Sequence, residues 1–239
     1  MKIEFTPVYI NPHNYFQPPK PAKTKIPQWY KNMPNFVNDD DKNGLSLINN
    51  SAVNTTLKSC SPFLDCLTTG YIFELSADIE IRKLENNNLL VRWRTIDDMV
   101  TLHTQDQHPN FPTPQEGSNT SIFKWYNPFN IKTPKGYSCL FTHPFNRNEL
   151  PFRTLSGIVD TDTYTNCVQF PFQILDFDKP FIIIEKGTPL TQIMPFKRDN
   201  WNNKVNDYDE NKAKDLSFGL FSKIVRSYKT QYWHKKIYD

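Results

Sequence analysis

Glycine and cysteine are scarce in this chain, at seven and four residues. Cys60, Cys66, Cys139 and Cys167 are scattered without a CxxC pair, so in a reducing compartment they read as buried thiols. The one short-range disulfide the spacing allows, Cys60 to Cys66, is not expected. No apolar run approaches membrane-spanning length, and the N-terminus "MKIEFTPVYINP" lacks the apolar core of a signal peptide. These absences point to a cytoplasmic protein with no membrane partner, and leave the sequons at Asn49, Asn54 and Asn119 without weight. Excess charge is missing too: 28 basic against 25 acidic residues leave +3, no nucleic-acid signature for the chain as a whole. Ala and Leu are few while proline reaches 19, which excludes a helical bundle and favours short strands joined by irregular loops. What is abundant is aromatic: Phe, Tyr and Trp make up 14% of 239 residues, enough to build most of a core.

Three regions follow from the texture. Residues 1–50 form an extended arm, rich in proline through "INPHNYFQPPKPAKTKIPQWYKNMP" and carrying Tyr15, Phe16, Trp29 and Tyr30 for packing. Residues 51–199 form a β domain, with a short helical segment at Leu57 to Leu67 near its start. From Gly70, "GYIFELSADIEIRKLENNNLLVRWRT" alternates apolar and polar residues on either side of "ENNN", as a β-hairpin does. After a polar loop over 104–120 come six strand-like runs: "SIFKWYNPFNIKTP", "YSCLFTHP", "RTLSGIVD", "NCVQFPFQILDF", "PFIIIEKG" and "PLTQIMPF". Such spacing predicts a mainly β, antiparallel barrel or jelly roll. Residues 200–239 form a helical segment packed on that body. Phe221, Ile224, Val225, Tyr228 and Tyr232 fall at helical spacing, and Lys223, Arg226, Lys229, Lys235 and Lys236 make the outer face basic. Any nucleic-acid contact would be made by this amphipathic helix.

The β region carries a resemblance. "GIVDTDTY" (157–164), then "VQFPFQILDFDKPFIIIEKGTPLTQIMPF" (168–196), resembles the "GxIDxDY" turn, strand pair and "GxxIaQ" strand of trimeric dUTPases and dCTP deaminases. Gly187 and Gln192 match the second pattern. The resemblance covers about Ile131 to Phe196 and implies a dUTPase-like barrel, a homotrimer, and a nucleotide pocket located by the Asp160 turn. It places Asp160 at the water-activating position, with Mg²⁺ as the cofactor of such an enzyme, and puts Arg147, Arg153, Asp162, Tyr164 and Gln192 about the ligand. The chain departs from the pattern where activity would reside. "HPFNRNELPF" stands where an Arg-Ser-Gly triplet belongs, Thr163 separates Asp162 from Tyr164, no glycine-rich lid follows, and the deaminase glutamate motif is absent. More widely, "IPQWYK", "NPF", "TPKGYS", "NRNELPF" and "KGTPLTQIMPFKRDNW" resemble landmarks of a family of phage and bacterial proteins, which implies source and fold and supplies no activity.

Each candidate has a structural reading beside the functional one. Asp is a favoured turn residue, so Asp160 and Asp162 serve a turn as well as they serve catalysis. Arg147 and Arg153 suit an anionic ligand, because guanidinium donors match phosphate and carboxylate; Arg147 with Glu149 equally makes a surface ion pair. His103, Asp106 and His108 offer metal donors at a spacing typical of no familiar site, and His143 before Pro144 reads as a packed or loop residue. Taken together, the sequence reads as a phage-type accessory protein. It is non-catalytic, needs no cofactor, and binds a protein partner or small anionic ligand in the host cytoplasm. The alternatives are a divergent Mg²⁺-dependent nucleotide pyrophosphohydrolase using Asp160, and a virion or assembly component.

Overall fold

The structure is a computed structural model that describes residues 1–8, 16–37, 55–85, 88–95, 98–103, 105–112, 121–175, 177–214 and 228–239. Among these residues the chain is mainly β, as its composition predicts, and every strand pairing is antiparallel. It divides into two compact units: Met1–Lys25 with Leu67–Arg198 and Tyr238–Asp239, and Ile26–Cys66 with Asp199–Ile237.

The first unit holds all fourteen strands of the described residues. β1 (Glu4–Pro7) pairs with β8 (Phe129–Lys132). A four-stranded sheet runs in the order β10 (Phe152–Thr154), β12 (Phe170–Ile174), β7 (Ile122–Trp125), β6 (Val100–His103). A five-stranded sheet runs β11 (Gly157–Val159), β9 (Tyr137–Thr142), β14 (Pro189–Lys197), β3 (Tyr71–Glu74), β2 (Lys20–Pro21). A three-stranded sheet runs β13 (Phe181–Ile184), β4 (Ile79–Lys83), β5 (Leu89–Trp93).

The expected hairpin is β4–β5, in register from Ile79↔Trp93 to Lys83↔Leu89 and closed by Leu84 N–H donating to the Asn88 carbonyl. Its alternation has a simple cause: Ile79 and Ile81 turn into the core while Glu80 and Arg82 turn out. The first part of that run, β3, leaves for the five-stranded sheet instead.

The core is aromatic. Trp125 is fully buried and stacks on Phe172 at 3.6 Å and 2°, with Phe152 edge-on to it at 5.1 Å. Phe170 on β12 meets Phe73 on β3 at 5.4 Å and Phe141 on β9 at 5.6 Å, so the four- and five-stranded sheets face each other through rings. Burying one such side chain is worth about 1.5–3 kcal/mol.

Two buried polar anchors brace the sheets. The Asn127 side chain donates to the Phe129 and Val168 carbonyls and accepts from Phe129 N–H, satisfying the bend into β8. Glu74, buried on β3, meets Lys25 at 2.7 Å and Lys20 at 3.3 Å, which makes its burial tolerable. Gly70, before β3, has φ +72°, and a Cβ there would lie 2.2 Å from the Ile193 carbonyl oxygen, so only glycine fits.

Of residues 1–50, expected as an extended arm, the described ones up to Lys25 belong to the first unit and carry β1 and β2, and residues 26–37 belong to the second. Tyr15 lies outside the described residues, as do Asn49, Asn54, Asn119 and residues 113–120 of the polar loop.

The second unit contains α1 (Gln28–Asn32) and the start of α2 (Ser61–Thr68), the latter within the segment expected to be helical. Tyr30 stacks on Phe63 at 5.8 Å, and Trp233 Nε1 donates to Asp65 Oδ2 at 2.9 Å. The C-terminal helix expectation falls largely on 215–227, outside the described residues. Its end is corrected: a single π-helical turn at Tyr228–Tyr232 is followed by non-helical chain from Trp233 to Asp239. There Lys236 is drawn to Asp65 at 2.6 Å, an ion pair a straight helix did not foresee. Cys60 and Cys66 are not joined in a disulfide. No helix of the described residues is long and apolar enough to cross a membrane.

Candidate functional site

Three adjacent strands of the five-stranded sheet bring the acidic motif together. Asp160 follows β11, Ser138 lies near the start of β9, and Arg198 follows β14; β11 and β14 flank β9. The three strand ends therefore meet over Ser138. Its hydroxyl donates to Asp160 Oδ1 at 2.6 Å. Arg198 Nη1 reaches Ser138 Oγ at 2.9 Å, Asp160 Oδ1 at 3.1 Å and Asp162 Oδ1 at 2.9 Å, while Nη2 donates to Asp162 Oδ2 at 2.5 Å. The fork geometry of guanidinium suits this two-point grip on Asp162.

The backbone completes the clasp. Gly136, at φ +86°, donates its N–H to Asp162 Oδ2 at 2.8 Å and accepts from Arg198 N–H at 2.9 Å. The Asp160 carbonyl accepts from Thr163 and Tyr164 N–H, closing the turn, and the buried Thr161 hydroxyl lies 2.7 Å from that of Thr133. The two carboxylates are thereby made unequal. The Asp162 side chain is 3% exposed and that of Asp160 is 63% exposed. Arg198, and then the Gly136 N–H, hold the Asp162 carboxyl well below the usual carboxylate range; the same contact raises the Arg198 guanidinium.

The clasp sets one guanidinium against two carboxylates, with Lys132 Nζ donating to the Asp162 carbonyl at 2.5 Å beside it, so it offers no excess positive charge to a phosphate. It does not fit Mg²⁺ either. The guanidinium already occupies the space between the carboxylates, and no group of three or more His, Cys, Asp or Glu among the described residues could hold a metal ion. His103 Nδ1 lies 3.0 Å from Gln107 Oε1 instead.

The other candidates lie elsewhere. Arg147 pairs through Nε with Glu149 and donates Nη1 to the Lys25 carbonyl at 3.1 Å. Arg153 is exposed on β10. Tyr164 is exposed beyond the turn. Gln192 is 1% exposed, and its amide joins two loops, donating to the Thr69 carbonyl at 2.6 Å and accepting from Phe145 N–H at 3.0 Å. His143 is a latch: Nδ1 accepts from Thr154 N–H at 3.2 Å, leaving Nε2–H to donate to the Arg147 carbonyl at 3.1 Å. Burial, above all, lowers its pKa and keeps the ring neutral.

Sequence reasoning missed Arg198 and Ser138. The available signal was an Asp-x-Asp turn at one strand end, which needs a cation, and an Arg directly following another strand.

No protein-family model matches the chain, and no curated protein matches it. Among solved structures, a native dUTPase of EIAV matches at 15% identity and TM-score 0.32, over 60% of this chain and 85% of its own. A mutant dUTPase from phage phi11 of S. aureus matches at 12% and 0.31, over 59% and 85%. A mutant Staphylococcus bacteriophage 80alpha dUTPase with dUpNHpp matches at 13% and 0.27, over 55% and 89%.

Proposed function

We propose that this protein is a phage-type accessory protein that performs no chemistry and binds a small anionic ligand or a protein partner. The observation that carries this reading is the closure of the Asp160–Arg198–Asp162 clasp on itself. A nucleotide pyrophosphohydrolase needs a free base beside a cationic clamp on the phosphates. Here the guanidinium at the acidic motif is consumed by Asp162, and the base candidate shares the same cation. Among the candidate residues, the guanidinium open to an anion is that of Arg153, exposed on β10, while Arg147, earlier in the chain, is tied to Glu149.

The alternative, a nucleotide pyrophosphohydrolase, is favoured by one fact: the Asp160 carboxylate is 63% exposed and takes its bonds on Oδ1. The two readings separate in one experiment. Purified protein is incubated with a panel of nucleoside triphosphates and Mg²⁺, and pyrophosphate release is measured beside thermal shift. Binding without chemistry gives no turnover and a rise in melting temperature that Arg153→Ala weakens. Turnover that Asp160→Asn abolishes overturns the proposal in favour of the hydrolase. Neither turnover nor shift with any anion removes the ligand-binding reading and leaves a protein partner.

A further inference from the structure

We infer that β13 is a self-association edge, which pairs antiparallel with β13 of a second copy about a two-fold axis at Ile182. β13 closes one side of its sheet and pairs only with β4 among the described residues. The other edge strands of the two large sheets and of this one carry protective features. β2 has two residues, one of them Pro21; β10 has three and exposes Arg153; β11 has three and begins with Gly157; β6 ends in His103; β5 exposes Arg92. β13 reads Phe-Ile-Ile-Ile, with no charge, bulge or proline inside it. Phe181 is 39% and Ile183 54% exposed.

The hydrogen-bond phase of the strand says which backbone groups are free. Lys83 N–H donates to the Pro180 carbonyl at 3.2 Å, so residues 180, 182 and 184 turn their backbone groups towards β4. Phe181 and Ile183 therefore point N–H and C=O outward, and these are the two exposed side chains. A two-fold axis at Ile182 sets Phe181 of each copy opposite Ile183 of the other. Both are outward-bonding positions, so two narrow pairs form and all four N–H groups find carbonyls. The side chains of each pair share one face, as cross-strand partners must. Arg82 adds a lid, with its guanidinium 5.1 Å from the Phe181 ring and anchored to Glu80. A register centred on Ile183 instead sets Phe181 against Glu185, an apolar ring against a charge. The occupant that matches both the hydrogen-bond phase and the apolar pair is thus the strand itself. With four residues a side the contact is small, so association is weak and concentration-dependent.

The test is mass by sedimentation or light scattering over a concentration series, for the native chain and for Ile183→Lys, a charge placed on an exposed edge position. The native chain is expected to double its mass as concentration rises, whatever its starting state, while Ile183→Lys stays at half that mass with an unchanged melting temperature. Amide exchange gives an independent readout: Phe181 and Ile183 N–H gain protection of about tenfold or more with concentration, while Ile182 and Ile184 stay protected throughout. A mass that does not double, a doubling that Ile183→Lys leaves intact, or Phe181 and Ile183 amides that exchange freely at every concentration each overturns the inference. A native chain whose edge amides are protected only by an added peptide overturns it too, in favour of a heterologous strand.

Discussion

Arg198 serves two carboxylates of unequal exposure, and that inequality decides what each substitution does. Asp160 can return to water when it loses its partner, whereas Asp162, 3% exposed, cannot. Asp160→Asn is therefore expected to leave the thermal midpoint nearly unchanged, with Arg198→Ala and Asp162→Asn both lowering it clearly; equal effects would refute a clasp centred on Asp162. The pH dependence has a definite sign. The Asp162 pKa is depressed in the fold, so its contribution is full above the ordinary carboxylate value of about 4 and is lost as pH falls through that value towards the folded one. Denaturation midpoints measured across that acid range should flatten in Asp162→Asn. His143 acts in a separate window. Its folded pKa is lowered, so the unfolded chain takes up a proton first, and stability falls as pH drops below about 6.5. Protonation would place a hydrogen on Nδ1, where Thr154 N–H now donates. His143→Asn should remove the slope between neutral pH and the carboxylate range.

At the scale of elements, the four-stranded sheet is held by one stack. Trp125, Phe152 and Phe172 come from β7, β10 and β12, three neighbouring strands, so truncating the indole loosens all three at once. Trp125→Ala should cost about 3–5 kcal/mol in chemical denaturation; a loss well below 1 kcal/mol would mean the stack does not bear on stability. The strands of this sheet were legible in the sequence, because "SIFKWYNPFNIKTP" and "NCVQFPFQILDF" are short aromatic runs bounded by proline and Asn/Asp turns. What was not legible was where runs divide. "RTLSGIVD" reads as one strand, but Leu155 and Ser156 separate β10 from β11, which join different sheets. The local mark of that break is only the Ser156-Gly157 pair; the pairing of β10 with β12 and of β11 with β9 makes it. The clasp was half legible for the same reason. Asp160 and Asp162 advertise themselves as a turn beside Gly157, while Arg198 lies 36 residues from Asp162 and meets it only because β9 sits between β11 and β14.

At the scale of the whole molecule, the chain forms two compact units whose internal ties differ in kind. The first is stitched by strand ladders and a ring-filled core. The second, among its described residues, has one isolated bridge, Phe36↔Thr55, short helices and the Trp29, Tyr30 and Phe63 rings, and Asp65 adds two side-chain bonds. One carboxylate oxygen, Oδ2, accepts from Trp233 Nε1 at 2.9 Å and from Lys236 Nζ at 2.6 Å, and the Lys236 ammonium in turn lies 5.6 Å from the Trp233 ring centroid. Residues 233–237 join no strand ladder among the described residues, so that carboxylate is their main tie, while the last two residues are held separately, Tyr238 edge-on to Tyr71 at 6.0 Å and Asp239 by Lys23 at 2.5 Å. Asp65→Ala is expected to speed tryptic cleavage after Lys235 and Lys236 several-fold, and Asp65→Asn, which keeps an acceptor for the indole, to do so less. The amides of β9 and β14, in the other unit, should keep their native exchange rates. If cleavage in Asp65→Ala proceeds at the native rate, the C-terminal segment is held by something other than this carboxylate.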